Sequence, residues 1–228
     1  MPRPVSPTHF ICIPLSSPQL ARTLSVFRSD VTSENGLNLP PVAIRPLGTM
    51  HLTLGVMALP DETSLSRARE LLRQTKLKEH LRKAREEAGG ADMSPGVKVT
   101  LKGLQALHDP AKTTVVYAPP ADDGSGLLYK FCKSIRSEFE KAGLVVEEKD
   151  RPLLLHATIV NTIYVPGQRG SRVKKKMTVD AREMLAGYDG FVWMENMDVD
   201  KVTLCKMGAQ VVGGEDGERY EVVEEVTF

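Results

Sequence analysis

Two apolar stretches of this chain are each interrupted by a histidine and a threonine two residues apart, and that spacing limits the fold more than any other feature. One reads Met50-His51-Leu52-Thr53-Leu54-Gly55-Val56-Met57, the other Leu155-His156-Ala157-Thr158-Ile159-Val160. Alternate residues of an extended strand point to opposite faces. His51, Thr53 and Gly55 are therefore expected on one face, with Leu52, Leu54 and Val56 packed into the core. His156, Thr158 and Val160 are expected to share a face in the same way, opposite Leu155, Ala157 and Ile159. A polar face buried without partners is costly, so each strand should border a cleft. One such triplet would be an ordinary structural feature. Two of them, 105 residues apart and one in each half of the chain, offer two imidazoles and two hydroxyls from rigid backbone, which suits a catalytic site.

The remaining segments alternate between strand and helix. Residues 9–15 read as a first strand, apolar on both faces. Ser16, Ser17 and Pro18 signal a helix start, and Leu20, Leu24 and Phe27 follow at helical spacing. An extended segment over residues 42–59 holds the first His-Thr pair. Ser64 opens a Leu-periodic helix that runs on as a charged segment to about Glu87, where Gly89-Gly90 ends it. Strands are expected over 97–107 and 113–117, flanking the turn His108-Asp109-Pro110. An amphipathic helix over 126–143 gathers Leu128, Phe131, Cys132, Ile135 and Phe139 on one face. A strand over 153–165, a short helix over 180–185 and closing strands over 201–206 and 220–226 complete the α/β (α+β) pattern. Residues 1–7, with three prolines, read as a disordered lead-in. Residues 8–228 read as a single domain of two halves, and residues 88–96 as the linker between them.

Composition narrows the function classes. A net charge of +1 is no polycation, so affinity for nucleic acid must come from a local patch. No apolar run approaches the roughly 20 residues needed to span a bilayer, so no membrane attachment is expected. Cys12, Cys132 and Cys205 lie far apart among apolar neighbours, without a zinc-type spacing, and read as buried thiols of a reducing compartment. No metal site and no cofactor are indicated. The acidic residues show no ligand spacing around either pair, and no P-loop, G-x-S-x-G elbow or dinucleotide fingerprint occurs.

The paired His-x-Thr strands resemble the 2H phosphoesterase superfamily of bacterial 2′-5′ RNA ligase-like proteins and cyclic nucleotide phosphodiesterases. Leu155-His156-Ala157-Thr158-Ile159-Val160-Asn161-Thr162, followed by Val179-Asp180-Ala181-Arg182-Glu183-Met184-Leu185, is more similar still to one branch. That branch is the phosphoesterase-like domain of the first subunit of the activating signal cointegrator complex, shared with certain A-kinase anchoring proteins. The resemblance runs from about Phe10 to the C-terminus. It implies a bilobal fold, with two mainly antiparallel sheets around a central cleft and helices outside. It also implies a metal-independent phosphodiesterase acting on RNA or nucleotide 2′,3′-cyclic phosphate or 2′-5′ linkages, with His51, Thr53, His156 and Thr158 as its catalytic residues. The animal cointegrator subunit resembles a KH domain fused ahead of this fold, whereas fewer than ten residues precede the first strand here. The KH-like Gly167-Gln168-Arg169-Gly170 follows a strand and reads as a loop.

The chemistry follows from the residue types. Opening a cyclic phosphate takes a base to deprotonate water and an acid to protonate the leaving ribose oxygen, and histidine can fill either role near neutral pH. Threonine hydroxyls would hold the non-bridging oxygens as charge builds. Which histidine is the base stays open. Arg169, Arg172, Lys174, Lys175 and Lys176 put five cations and no acid into eight residues, either a phosphate-tracking RNA contact or a solvated loop. Tyr164 is either a base-stacking platform or a rim aromatic. The expected ligand is an RNA end or a nucleotide with a cyclic phosphate, bound by a monomer in the cytoplasm or nucleus. The alternative is a non-catalytic nucleotide- or RNA-binding subunit of a coactivator-type or RNA-processing assembly. A pure protein scaffold would leave both polar strand faces unexplained.

Overall fold

The structure is a computed structural model that describes residues 6–34, 36–89, 96–121, 124–146, 152–168, 176–214 and 217–228. Eleven strands occur among these residues, and every strand pairing is antiparallel. The first sheet is built around β1 (His9–Pro14), whose apolar residues on both faces are buried. It pairs with β2 (His51–Met57) on one side and β8 (Lys201–Lys206) on the other, and β11 (Val222–Thr227) closes the far edge. The second sheet contains β4 (Gln105–Ala106), β5 (Val115–Ala118) and β6 (Ala157–Asn161), in that order. The pair β3 (Val97–Lys102) and β7 (Val192–Val199) continues it through the bridge from Leu101 to Pro120. A separate hairpin is made by β9 (Gln210–Gly213) and β10 (Gly217–Arg219). The two sheets with outer helices match the expected architecture.

Helices cover the sheets where their apolar periodicity demands. In α1 (Pro18–Thr32) the Ser17 hydroxyl accepts from the Leu20 amide, and Leu20, Leu24, Phe27 and Val31 are buried in one stripe. Each such side chain contributes about 1.5–3 kcal/mol by leaving water. Thr23 of this helix donates to the Trp193 carbonyl, fixing α1 on β7. In α4 (Leu127–Lys141) the stripe Phe131, Cys132, Ile135 and Phe139 is fully buried. A short α5 (Arg182–Gly187) precedes β7.

Several boundaries differ from expectation, each for a local reason. The helix expected from Ser64 to Glu87 is two: α2 (Glu62–Gln74), capped by Asp61 and Ser64, and α3 (Leu77–Glu87). Thr75 adopts an extended ψ of 117° and turns its hydroxyl back to the Leu71 carbonyl, which ends α2. The extended segment expected from residue 42 is strand only from His51. Before it come 3₁₀ turns at Pro41–Ala43 and Leu47–Thr49, where Pro40, Pro41 and Pro46 lack the amides a ladder needs. The strand expected over 153–165 is limited to β6, because Thr162–Tyr164 coil into a 3₁₀ turn capped by Asn161. Gly103, at φ +72°, splits the strand expected over 97–107 into β3 and β4. Nothing in the alternation of residues 192–199 announced β7, where Asn196 sits at a positive φ of 52°. The lead-in at residues 1–5 and most of the 88–96 linker lie outside the described residues.

Candidate active site

The two His-Thr strands stand at sheet edges that face each other. β2 is an outer strand of the first sheet and β6 an outer strand of the second. The segment leading into β2 reaches across to β6. Ile44 bridges Val160, and the Arg45 amide donates to the Ile159 carbonyl at 2.8 Å. At the other end of β2, the Val146 amide donates to the Val56 carbonyl at 2.9 Å.

Burial alternates through each motif, although His51 opens β2 while His156 stands one residue before β6, outside the strand expected for it. His51 and Thr53 are half-buried while Leu52 and Leu54 are fully buried, and His156 and Thr158 are half-buried beside the fully buried Ala157 and Ile159. Beyond the threonine the parity breaks in both strands, contrary to expectation. The β1–β2 register skips Leu54, and the β5–β6 register skips Ile159, so each is the extra residue of a β-bulge. The bulge turns Gly55 inward against Ile11 and Val145, and turns Val56 out to pack with Phe10, Cys12 and Cys205. Val160 is likewise fully buried and not on the histidine face. The carbonyls of the bulged residues find other donors: Ile159 accepts from the Arg45 amide, and Leu54 from the Arg136 guanidinium.

The imidazoles are held by the same device. His51 Nδ1 lies 2.7 Å from the Thr49 carbonyl oxygen, and His156 Nδ1 lies 2.9 Å from the Leu154 carbonyl oxygen. A carbonyl only accepts, so Nδ1 carries the hydrogen in both rings and Nε2 is left to exchange protons. Aromatic neighbours fix the ring planes. Phe10 and Tyr220 flank His51 at centroid distances of 4.8 and 5.4 Å, and Tyr117 meets His156 edge-on at 5.3 Å. Burial pulls the His51 pKa down to about 4, helped by the nearby His156 and Arg45 charges and opposed by the Thr49 hydrogen bond. Thr53 and His156 line one cavity. Among the described residues, neither the Thr53 nor the Thr158 hydroxyl has a hydrogen-bond partner, whereas those of Thr49, Thr113 and Thr162 are each spent on a carbonyl.

Other expected ligand-binding residues fare differently. One face of the Tyr164 ring is covered by the Arg45 guanidinium, 3.5 Å from the centroid, and its hydroxyl lies 3.4 Å from that of Tyr220. That face of Tyr164 is therefore taken by Arg45. Lys176 is exposed, and Arg169, Arg172, Lys174 and Lys175 lie outside the described residues, as does half of the Gly167–Gly170 loop. The sequence reading missed Arg45, only 4 % exposed and paired with Glu218 at 3.1 Å, together with Phe10, Tyr117 and Tyr220. None belongs to a motif. Tyr220 is 169 residues from His51 in sequence, and no spacing rule connects them.

Comparison with known proteins shows what the chain as a whole is similar to. An uncharacterized protein of Schizosaccharomyces pombe is 25% identical over 212 residues, covering 92% of this chain and 90% of its own length. Activating signal cointegrator 1 complex subunit 1 of Mus musculus is 24% identical over 208 residues, 87% of this chain. The chain spans about half of that mouse protein, 52% of its length. Among solved structures, Escherichia coli LigT complexed with 3′-AMP superposes with a TM-score of 0.51 at 18% identity, over 97% of both chains. The protein TT0787 of Thermus thermophilus gives 0.51 at 15% identity, over 96% of this chain and 97% of its own. These likenesses show a shared fold. The family assignment comes from the sequence itself, which matches the AKAP7 2′5′ RNA ligase-like domain across residues 7–228, and the chain belongs to that family.

Proposed function

We propose that the chain is a phosphodiesterase that cuts an RNA or nucleotide phosphodiester, a 2′,3′-cyclic phosphate or 2′-5′ linkage, by metal-independent catalysis at two histidines. The observation that carries this reading is the matched pair of imidazoles, each with Nδ1 tied to a carbonyl and Nε2 left over, beside two uncommitted threonine hydroxyls. A phosphate between them would meet a proton acceptor, a proton donor and two hydroxyl donors. His51 is the base, because its surroundings keep it neutral near pH 7. It takes a proton from the attacking water as the new P–O bond forms. His156 is the acid, giving a proton to the ribose oxygen as the old P–O bond breaks. Thr53 and Thr158 hold the non-bridging oxygens.

The test is turnover of a panel of 2′,3′-cyclic nucleotides and short RNAs with EDTA present. His51→Ala and His156→Ala should each cost about 10²–10⁴-fold, and Thr53→Ala or Thr158→Ala less. Activity abolished by the chelator would overturn the metal-free mechanism. A second reading has one observation behind it: the mouse relative is named as a subunit of a complex. On that reading the same cleft holds a nucleotide or RNA end without turnover, within a coactivator-type assembly. Binding that survives both histidine substitutions, with no turnover by the unaltered protein, would favour it.

A further inference from the structure

The β9–β10 hairpin stands apart from both sheets, and among the described residues no backbone hydrogen bond reaches β9 from outside the hairpin. Val211 is 83 % exposed and Val212 54 %. Neighbouring strand residues point to opposite faces, so β9 is apolar on both faces while its outer edge is unpaired. The other outer strands are protected in ways usual for natural sheets. On β11, Glu224 pairs with Arg69 and Arg73 of α2, and Glu225 with Lys201. On β7, the Gln19 side chain of α1 accepts the Glu195 amide. β2 and β6 are tied across the cleft by Ile44 and Arg45, and β4 is only two residues long. In contrast, the run from Met207 to Gly214 holds neither charge nor proline. An edge of this kind is a template for another strand.

We propose that β9 pairs antiparallel with β9 of a second copy of this chain, with Val211 on the two-fold axis, joining two hairpins into one four-stranded sheet. Charge selects this occupant. A strand paired with its own copy sets like residues against like, and like charges placed opposite each other are destabilising. β9 has no charge to repel, whereas β11 paired in this way would set the acids Glu224 and Glu225 against their own copies. The uncharged run is bounded by the exposed Lys206 at its base and by Glu215-Asp216 at its tip, so an antiparallel copy meets the opposite sign at each end. A groove of about 250 Å³ beside the start of β9, lined by Ile163, Pro166 and Ala209 among others, adds apolar surface there. A lone two-stranded hairpin is marginal in water, whereas three or more strands with an apolar face hold together. Four residues of strand from each copy bury less than the roughly 1,200 Å² of a stable interface. The dimer is therefore weak, and the monomer expected from the sequence is its dilute form.

The test is analytical sedimentation of the full chain over a concentration series reaching the high micromolar range, where the mass should rise from monomer to dimer. Val211→Lys, at a solvent-facing position that leaves the fold alone, sets two cations face to face, and the Kd of the dimer should rise at least about tenfold. Val26→Lys, at an exposed valine of α1, should leave the Kd unchanged. Geometry is read by cross-linking. Facing residues of an antiparallel pair have Cα atoms about 4.5–5.5 Å apart, within reach of a disulfide. Val211→Cys should therefore give a covalent dimer under mild oxidation with diamide, and Val26→Cys should not, the chain's own cysteines all being buried. A dimer that Val211→Lys leaves intact, or cross-linking of Val211→Cys no faster than that of Val26→Cys, would overturn the pairing. So would a monomer at every concentration, which would leave the edge to a strand of a different protein.

Discussion

His51 and His156 carry the same ring, held by the same hydrogen bond, in different surroundings. Phe10 and Tyr220 crowd His51, and that burial, more than any charge, drives its pKa to about 4. Two consequences follow. In the pH profile of kcat/KM, the acidic limb set by His51 should fall below the ordinary histidine value of about 6.5. Tyr220→Ala, by opening the ring to water, should move that limb upward, and a limb that stays put would break the link to burial. Stability carries the same signature. A histidine whose folded pKa lies below its unfolded one stays neutral when folded but binds a proton on unfolding, so it costs stability as pH falls through the window from about 6.5 to 4. Over that window the loss is at most about 3 kcal/mol, and less in practice because the ring is only half-buried. His51→Asn should therefore lose less stability than the unaltered protein between pH 7 and pH 4.5, as read by urea unfolding.

At the scale of elements, the recurring device is a bulge placed directly after the threonine. Leu54 in β2 and Ile159 in β6 each add a residue that their partner strand does not match. The bulge lets the histidine and threonine face the cleft while the following residues return to the core. Gly55 is where β2 does this with least room. A Cβ there would sit 3.1 Å from a Val145 methyl and 3.8 Å from one of Ile11. Gly55→Val should destabilise the fold by about 1–3 kcal/mol through overpacking, measurable as a lower midpoint of urea unfolding. It should also disturb activity, because the same strand carries His51 and Thr53. A neutral effect on stability would mean that Val145 moves aside freely.

For the molecule as a whole, the cleft depends on how its two edges are tied together. Arg45 makes that tie from the first sheet's side. Its amide bonds to β6, and its guanidinium packs on Tyr164 and pairs with Glu218 of the β9–β10 hairpin. Arg45→Met should cost about 3 kcal/mol, the low end for breaking a buried pair, since Glu218 can still reach water. A thermal or urea unfolding series would read it, and a loss under about 1 kcal/mol would place the tie in the backbone alone. The basic run from Arg169 to Lys176 belongs to this scale as well, since a long ligand would reach past the cleft. Replacing Lys174, Lys175 and Lys176 with Ala should weaken binding of an RNA oligomer and flatten its salt dependence, because fewer counterions are then released. Binding of a mononucleotide should change far less, and equal losses on both would mean that the run shapes the cleft.

The sequence by itself determined the two His-x-Thr motifs and the apolar stripes of α1 and α4, and the family resemblance those motifs carry implied the antiparallel two-sheet architecture. The motifs and stripes are local patterns, set by side-chain periodicity and by runs of fewer than ten residues. It could not determine where the strand parity breaks, because a bulge is a mismatch with a partner strand and is invisible in one strand's letters. Nor could it find Arg45 or Tyr220, whose neighbours come from residues 159, 164, 218 and 51 and meet only when the sheets close. The same holds for the lowered pKa of His51. His51 is less ready to take a proton than a free imidazole because burial, unlike residue type, is a property of the packed chain.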